Sequence, residues 1–287
     1  MEQVQRLIHL NNRLGEGPVW DAAGHSFYWV NIEGNCFYRY YPATGKHEQF
    51  DVGQPIGVLR LRQAGGLVMA LRDGIAFWDE QTHTPKIIAS PEAGKPQARF
   101  NDGAVDRAGR FWAGTIAPGA TSSLYRLDPD LSVHTMETGI TVSNGIGWSP
   151  DNRTMYLTDS RIRMIYAYDF DLVSGEIDNR RAFVHTPDVV DTPDGLAVDS
   201  EGFIWSARWG GWKIVRYDPT GKIEREIPMP VEYPTCCAFG GEALDELYIT
   251  SAWTRLNDEQ RKEQPDAGDV FRIKFGIKGL LEPSFVG

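Results

Sequence analysis

Six copies of one short pattern, 40 to 50 residues apart, predict an all-β fold: a six-bladed β-propeller with four-stranded blades around a central channel. The pattern is fullest from Pro193 to Gly202, where a polar residue, a Gly and a short apolar run lead to an Asp-x-x-Gly turn five residues on. Equivalent positions are Glu16, Ile56, Asn101, Asn144, Asp194 and Thr235, at intervals of 40, 45, 43, 50 and 41 residues. A second observation is the punctuation between copies: short runs of β-branched and aromatic residues are separated by Gly, Pro, Asp and Asn. No amphipathic helix of ordinary length is visible.

In chain order, residues 3–10 read as a strand ahead of the first repeat, of the kind that joins the last blade and removes a sheet edge. The first repeat then offers strands at 26–32, 36–41 and 47–52, with a Pro42–Gly45 turn. The second offers 66–71 and 75–78, the third 110–114 and 123–127, and the fourth 154–158 and 164–170. The fifth offers 203–207 and 213–217, with the turn Asp218–Gly221, and the sixth 246–250 and 268–273. Two segments break the rhythm, a loop from His185 to Pro193 and a charge-rich insertion from Leu256 to Ala267. The near-equal repeats predict one closed propeller domain over 1–287.

Hydrophobic content of 41% with 11% aromatics supplies a sizeable core. The net charge of −10, with no basic run to offset it, argues against nucleic acid and anionic membrane as partners. Cys36, Cys236 and Cys237 make a poor disulfide framework, which points to a reducing, cytoplasmic location. Cys236, beside Thr235, is expected near the channel as a small core residue. The first residues carry no signal-peptide h-region, and no apolar run is long enough to span a bilayer.

The repeat has a chemical consequence. Equivalent positions on innermost strands sit at one height around a propeller channel, so Glu16, Asn101, Asn144 and Asp194 are expected to form a ring of hard oxygen donors suited to a divalent cation. Taken singly, Asn144-Gly145 or Asp194-Gly195 is first a hairpin signal. Their recurrence five positions before the next turn favours a site. Arg99, two residues before Asn101, brings a planar donor fork suited to a carboxylate, a carbonyl or vicinal hydroxyls. Asp102 is either a further polar group there or a turn-former. No zincin, Walker, Rossmann or Gly-x-Ser-x-Gly motif is present. His185 stands near enough to Asp194 in sequence to reach the mouth, although a loop His is more often solvated; acid–base work then falls to Asp194 or Glu16.

The chain resembles the senescence-marker-protein/gluconolactonase family of six-bladed propellers along nearly its whole length. The resemblance rests on Leu14-Gly-Glu-Gly-Pro-Val-Trp20, Arg99-Phe-Asn-Asp-Gly103 with Trp112-Ala-Gly-Thr115, Ser143-Asn-Gly145 with Ser149-Pro-Asp151, Pro193 to Asp199, and Cys236-Cys237 before Phe239-Gly-Gly241. It implies Glu16, Asn144 and Asp194 as protein ligands of one divalent metal ion, Asp194 as general base, and Arg99 and Asn101 as substrate contacts. Calcium, magnesium and manganese suit oxygen ligands, and zinc or iron can use the same groups. Some members add an acidic residue from the loop after the Ala-Gly-Thr strand; here that loop, Ile116 to Ser122, has none. The expected activity is metal-dependent hydrolysis of a small-molecule sugar-acid lactone to the free aldonate. An esterase or organophosphate hydrolase of the same fold, and a non-catalytic cation-binding regulator, are the alternatives.

Overall fold

The computed structural model describes residues 3–287. Six four-stranded antiparallel sheets follow one another as the blades of a propeller. Their innermost strands are Gly15–Asp21, Ile56–Leu61, Arg99–Val105, Ser143–Trp148, Thr192–Val198 and Pro234–Gly240. Each contacts the next, and the last contacts the first, so they enclose the channel. The strand Gln5–Ile8 pairs with Val270–Lys274 and completes the sixth blade, with Gln5 opposite Arg272 and Ile8 opposite Val270. Ring closure therefore joins the two ends of the chain, as the first residues predict.

The apolar runs become the packing between blades. At the closing seam Phe27 and Trp20 of the first blade stack on Tyr248 of the sixth, at ring separations of 4.6 and 5.8 Å. The Asp-x-x-Gly turns are more than turns. Asp106 is fully buried; its Oδ1 accepts the backbone N–H groups of Ala108 and Arg110, and its Oδ2 accepts Trp112 Nε1 at 2.9 Å and Arg110 Nε at 2.7 Å. Asp199 repeats this with Glu201, Phe203, Trp205 and Arg216. A buried carboxylate so fully hydrogen-bonded fixes where these two innermost strands, of the third and fifth blades, end.

Four outer strands escape the sequence reading: Thr84–Ala89, Val133–Ile140, Ile177–His185 and Ile223–Pro228. Their residues are mostly exposed and polar, so no hydrophobic alternation marks them; the neighbouring strand's backbone holds them in place. The one α-helix among the described residues, Asp258–Glu263, lies in the 256–267 insertion behind a capping box of Asn257 and Gln260. No helix there is long and apolar enough to cross a membrane.

After the last strand the chain crosses the far end of the channel. Ser200 N–H donates to Lys278 O, Phe285 N–H to Leu61 O and Val286 N–H to Gly109 O, tying residues 278–286 across several blades. Behind this strap Arg60 is ion-paired with Glu282, in a small cavity shared with Asp102 and Cys236. Phe285 is fully buried among Val58, Val68, Phe111 and Tyr125. Phe285→Ala is expected to lower the free energy of unfolding by about 3–4 kcal/mol, read from urea denaturation, because it empties a site the strap alone fills. A loss under ~1 kcal/mol would show that the strap adds little to the core.

Candidate active site

Each innermost strand breaks register with its neighbour at or just after the repeat position: between Glu16 and Val19, Ile56 and Val58, Phe100 and Gly103, Ser143 and Ile146, Pro193 and Leu196, and Pro234 and Cys236. A bulge re-aims a side chain and bends its strand. The Gly that follows serves close approach rather than a turn. A Cβ on Gly145 would lie 2.5 Å from Leu196 N, and one on Gly195 would overlap Cys236 Sγ in the next blade. So the Asn-Gly and Asp-Gly pairs are strand residues, packed against the adjacent innermost strand.

Four of the six equivalent positions line one cavity of about 370 Å³ at the channel mouth: Glu16, Asn101, Asn144 and Asp194. The other two do not. Ile56 is buried in the apolar core between the first two blades. Thr235 is buried and donates from Oγ1 to Gly15 O at 2.6 Å, tying the sixth blade to the first.

The neutral donors are strung in a line. Arg99 Nη1 donates to Asn101 Oδ1 at 2.7 Å, Asn101 Nδ2 to Asn144 Oδ1 at 2.8 Å, and Asn144 Nδ2 to Ser160 Oγ at 2.8 Å. A guanidinium only donates, so it sets the direction of the whole chain and turns the Asn144 carbonyl oxygen toward Asn101. Glu16 accepts one bond, from Gly17 N–H, and no donor among the described residues reaches Asp194.

Both carboxylates are buried, and burial pushes both well above the usual carboxylate range. For Glu16 the negative charges of Asp194 and Asp102 push further, against relief from the Gly17 N–H and then from Arg99. For Asp194 the added push comes from Asp102. Asp102 lies on the channel side of its strand, where burial raises it while Arg60 and the Gly103 N–H pull it back. It is a buried channel group, not a turn-former.

Two desolvated carboxylates with no paired cation, beside an amide oxygen, form a donor set that fits a hard divalent ion. The His9, Asp266 and Asp269 cluster on the outer rim fits one less well. Arg6 already pairs with Asp266 at 2.6 Å, and His9 and two backbone N–H groups already occupy Asp269.

The rest of the mouth comes from loops outside the repeat positions. Glu33 and Arg161 sit in the short 3-10 turns Ile32–Gly34 and Ser160–Ile162, each 17 residues after a ring position, Glu16 and Asn144. That shared offset is a signal the sequence carries, since the second-to-third strand connection of a blade rises to the mouth. Glu33 pairs with Arg13 and accepts from Thr254 Oγ1. Trp209 adds an aromatic wall, its ring tilted 46° to that of Tyr233 at 4.5 Å. Thr254 and Arg255 place the root of the sixth-blade insertion at this mouth. His185 is not brought here: it ends an outermost strand opposite Met164 and is exposed.

Known proteins place the whole chain. A sequence model described as the SMP-30/gluconolactonase/LRE-like region matches residues 14–253. Regucalcin of Gallus gallus is 39% identical over 287 residues, covering 96% of this chain and 95% of that protein. A luciferin-regenerating enzyme superposes with a TM-score of 0.92 at 30% identity, over 100% of both chains. A calcium-binding regucalcin from Agrobacterium tumefaciens superposes with a TM-score of 0.95 at 27% identity, over 99% of this chain and 97% of its own. With the family region spanning most of its length and full-length relatives above 30% identity, the chain belongs to the SMP-30/gluconolactonase/LRE-like family.

Proposed function

We propose that this protein is a divalent-metal-dependent hydrolase that opens the lactone of a sugar acid to the free aldonate. The observation that carries the reading is the pair of buried carboxylates, Glu16 and Asp194, that no Lys or Arg among the described residues ion-pairs, lining one cavity with Asn144, Asn101 and Arg99. The family includes gluconolactonases by name, and its Agrobacterium relative is described as calcium-binding. Three buried free cysteines agree with a reducing, cytoplasmic setting.

Glu16, Asn144 and Asp194 would hold the ion. Bound there, a divalent cation supplies a Lewis acid that polarises an ester carbonyl and offsets charge developing on its oxygen. The chain's own residues do the rest. Arg99 spends only Nη1 within the protein, so its other N–H groups are free to orient substrate oxygens. Asn101, locked between Arg99 and Asn144, holds the line of donors rigid. Asp194 Oδ takes a proton from the water that attacks the carbonyl carbon, and gives it to the ring oxygen as that carbon–oxygen bond breaks. The product is a hydroxy acid. Burial raises the proton affinity of Asp194 in the metal-free protein, and a bound cation would lower it again, so the carboxylate is a weak base on its own. Trp209 offers the sugar ring an apolar face.

Acid release from five- and six-membered aldonolactones, followed with a pH indicator, is expected to depend on added metal and to stop with chelator. Asp194→Ala is expected to lower kcat/KM by about 10³-fold or more. Rapid metal-dependent turnover by that variant would remove Asp194 from the role of base. Tight cation binding with no acid released from any lactone would select the non-catalytic, cation-binding role instead.

The same carboxylates set a pH dependence. Their folded-state affinity for protons exceeds the unfolded one, so the metal-free fold binds more protons than the open chain. The share of stability these two groups carry is full below the ordinary carboxylate range and falls as pH rises from there through the raised values, whereas carboxylates held low, such as Asp79 and Asp218, add their share only above that range. The slope is about 1.4 kcal/mol per pH unit for each proton held. Denaturation of chelator-treated protein should show this fall, and Asp194→Asn should flatten it. A metal-free stability that climbs with pH over that window would contradict the burial of uncompensated charge.

A further inference from the structure

A second groove of about 460 Å³ adjoins the mouth cavity and shares Arg99, Ile116 and Arg161 with it. Arg72 completes a set of three arginines along this groove, and no Asp or Glu lines it. Asp73 and Glu92 line a neighbouring groove that also takes in Arg72, where Glu92 is taken up by Lys95; Asp159, two residues before Arg161, is taken up by Thr141 and Val142. The three arginines come from three blades. Arg72 lies in the turn between Leu67–Leu71 and Gly74–Asp79, Arg99 opens an innermost strand, and Arg161 stands in the turn Ser160–Ile162.

Three further features make the groove more than a patch of surface. The chain carries a net charge of −10, and most of its arginines are ion-paired, yet none of these three pairs with a carboxylate among the described residues. Arg72 makes one long side-chain bond, to Pro96 O at 3.5 Å, and Arg99 uses only Nη1. The rest of the lining is Pro55, the segment 96–98 and the loop from Ile116 to Pro118, the last pinned by Ala117 N–H to Ser122 Oγ at 3.0 Å and Thr121 Oγ1 to Pro118 O at 2.8 Å. That wall offers the guanidinium groups no acidic side chain.

We infer that this groove is an anion subsite, which takes a second negatively charged group of the substrate, a carboxylate or a phosphate, remote from the lactone carbonyl. The substrate class then narrows from sugar lactones in general to lactones that are themselves anionic. This rests on the lactonase reading only for the other end of the ligand. Arginine forks match the planar oxygen pairs of carboxylate and phosphate. Converging in an otherwise acidic protein, they favour an anion here while the surrounding surface repels it. Arg255, on the rim of the mouth cavity, adds to the same local field.

The test uses open-chain acids, so it needs no turnover. Binding of gluconate, glucarate and 6-phosphogluconate to the metal-loaded protein is measured by calorimetry. Glucarate, 6-phosphogluconate or both are expected to bind at least about tenfold tighter than gluconate, with the margin shrinking as salt is raised. Which of the two gains tells a carboxylate from a phosphate. In the double variant Arg72→Gln/Arg161→Gln, checked for an unchanged melting temperature, the preference should fall to within about twofold. Equal or undetectable binding of all three acids, or a preference that survives the double substitution, overturns the anion subsite. Failure to hydrolyse any lactone strikes only the proposed activity.

Discussion

The constraint on which the rest depends is the burial of two like charges with nothing inside the protein to neutralise them. Glu16 and Asp194 come from the first and fifth blades, and each loses its solvent at the channel mouth. Arg99 acts on Glu16 at a distance, but burial lowers its own proton affinity, and its Nη1 is given to Asn101 and the Phe100 carbonyl rather than to a carboxylate. Two buried carboxylates at the other end of the strands are met in full: Asp106 and Asp199 each have an arginine, an indole N–H and backbone donors. A chain that satisfies its structural acids this carefully has left the mouth pair open, and open acids of that kind belong to function more often than to architecture.

Placing those acids takes two local devices that act together. A bulge at each innermost strand turns a side chain out of the ladder, and a small residue beside it lets the adjacent strand come close. Only a propeller asks for this six times at one height, which is why the repeat was readable. The distance of five residues from ring position to turn is the length of strand between the mouth and the far rim, so Asp106 and Asp199 measure the strand from its other end. Residue type already separates the copies: the four with a carboxylate or carboxamide side chain line the mouth. Ile56 and Thr235 occupy the same slot and serve packing and a blade-to-blade hydrogen bond.

Much of the site was legible because its ligand-type residues lie on regular strands with a period. The remainder was not, for two physical reasons. The outer strands are exposed and polar, so their place comes from backbone pairing, which leaves no side-chain signature. The walls of the cavity come from connections: Glu33 and Arg161 share an offset that a search for the mouth-side turns would have found, whereas Trp209 and Arg255 share none. The direction of the Arg99–Asn101–Asn144–Ser160 line was also out of reach, since Ser160 is sixteen residues from its partner and enters from a different connection.

The seam between Gln5–Ile8 and Val270–Lys274 has a consequence for how the molecule comes into being. Five blades are made of strands close together in the chain and are free to zip up while the polypeptide is still leaving the ribosome. The sixth waits for a partner some 260 residues upstream, so until Val270–Lys274 emerges the ring is an open crescent with two bare edges. Over that interval the nascent chain has most need of a chaperone.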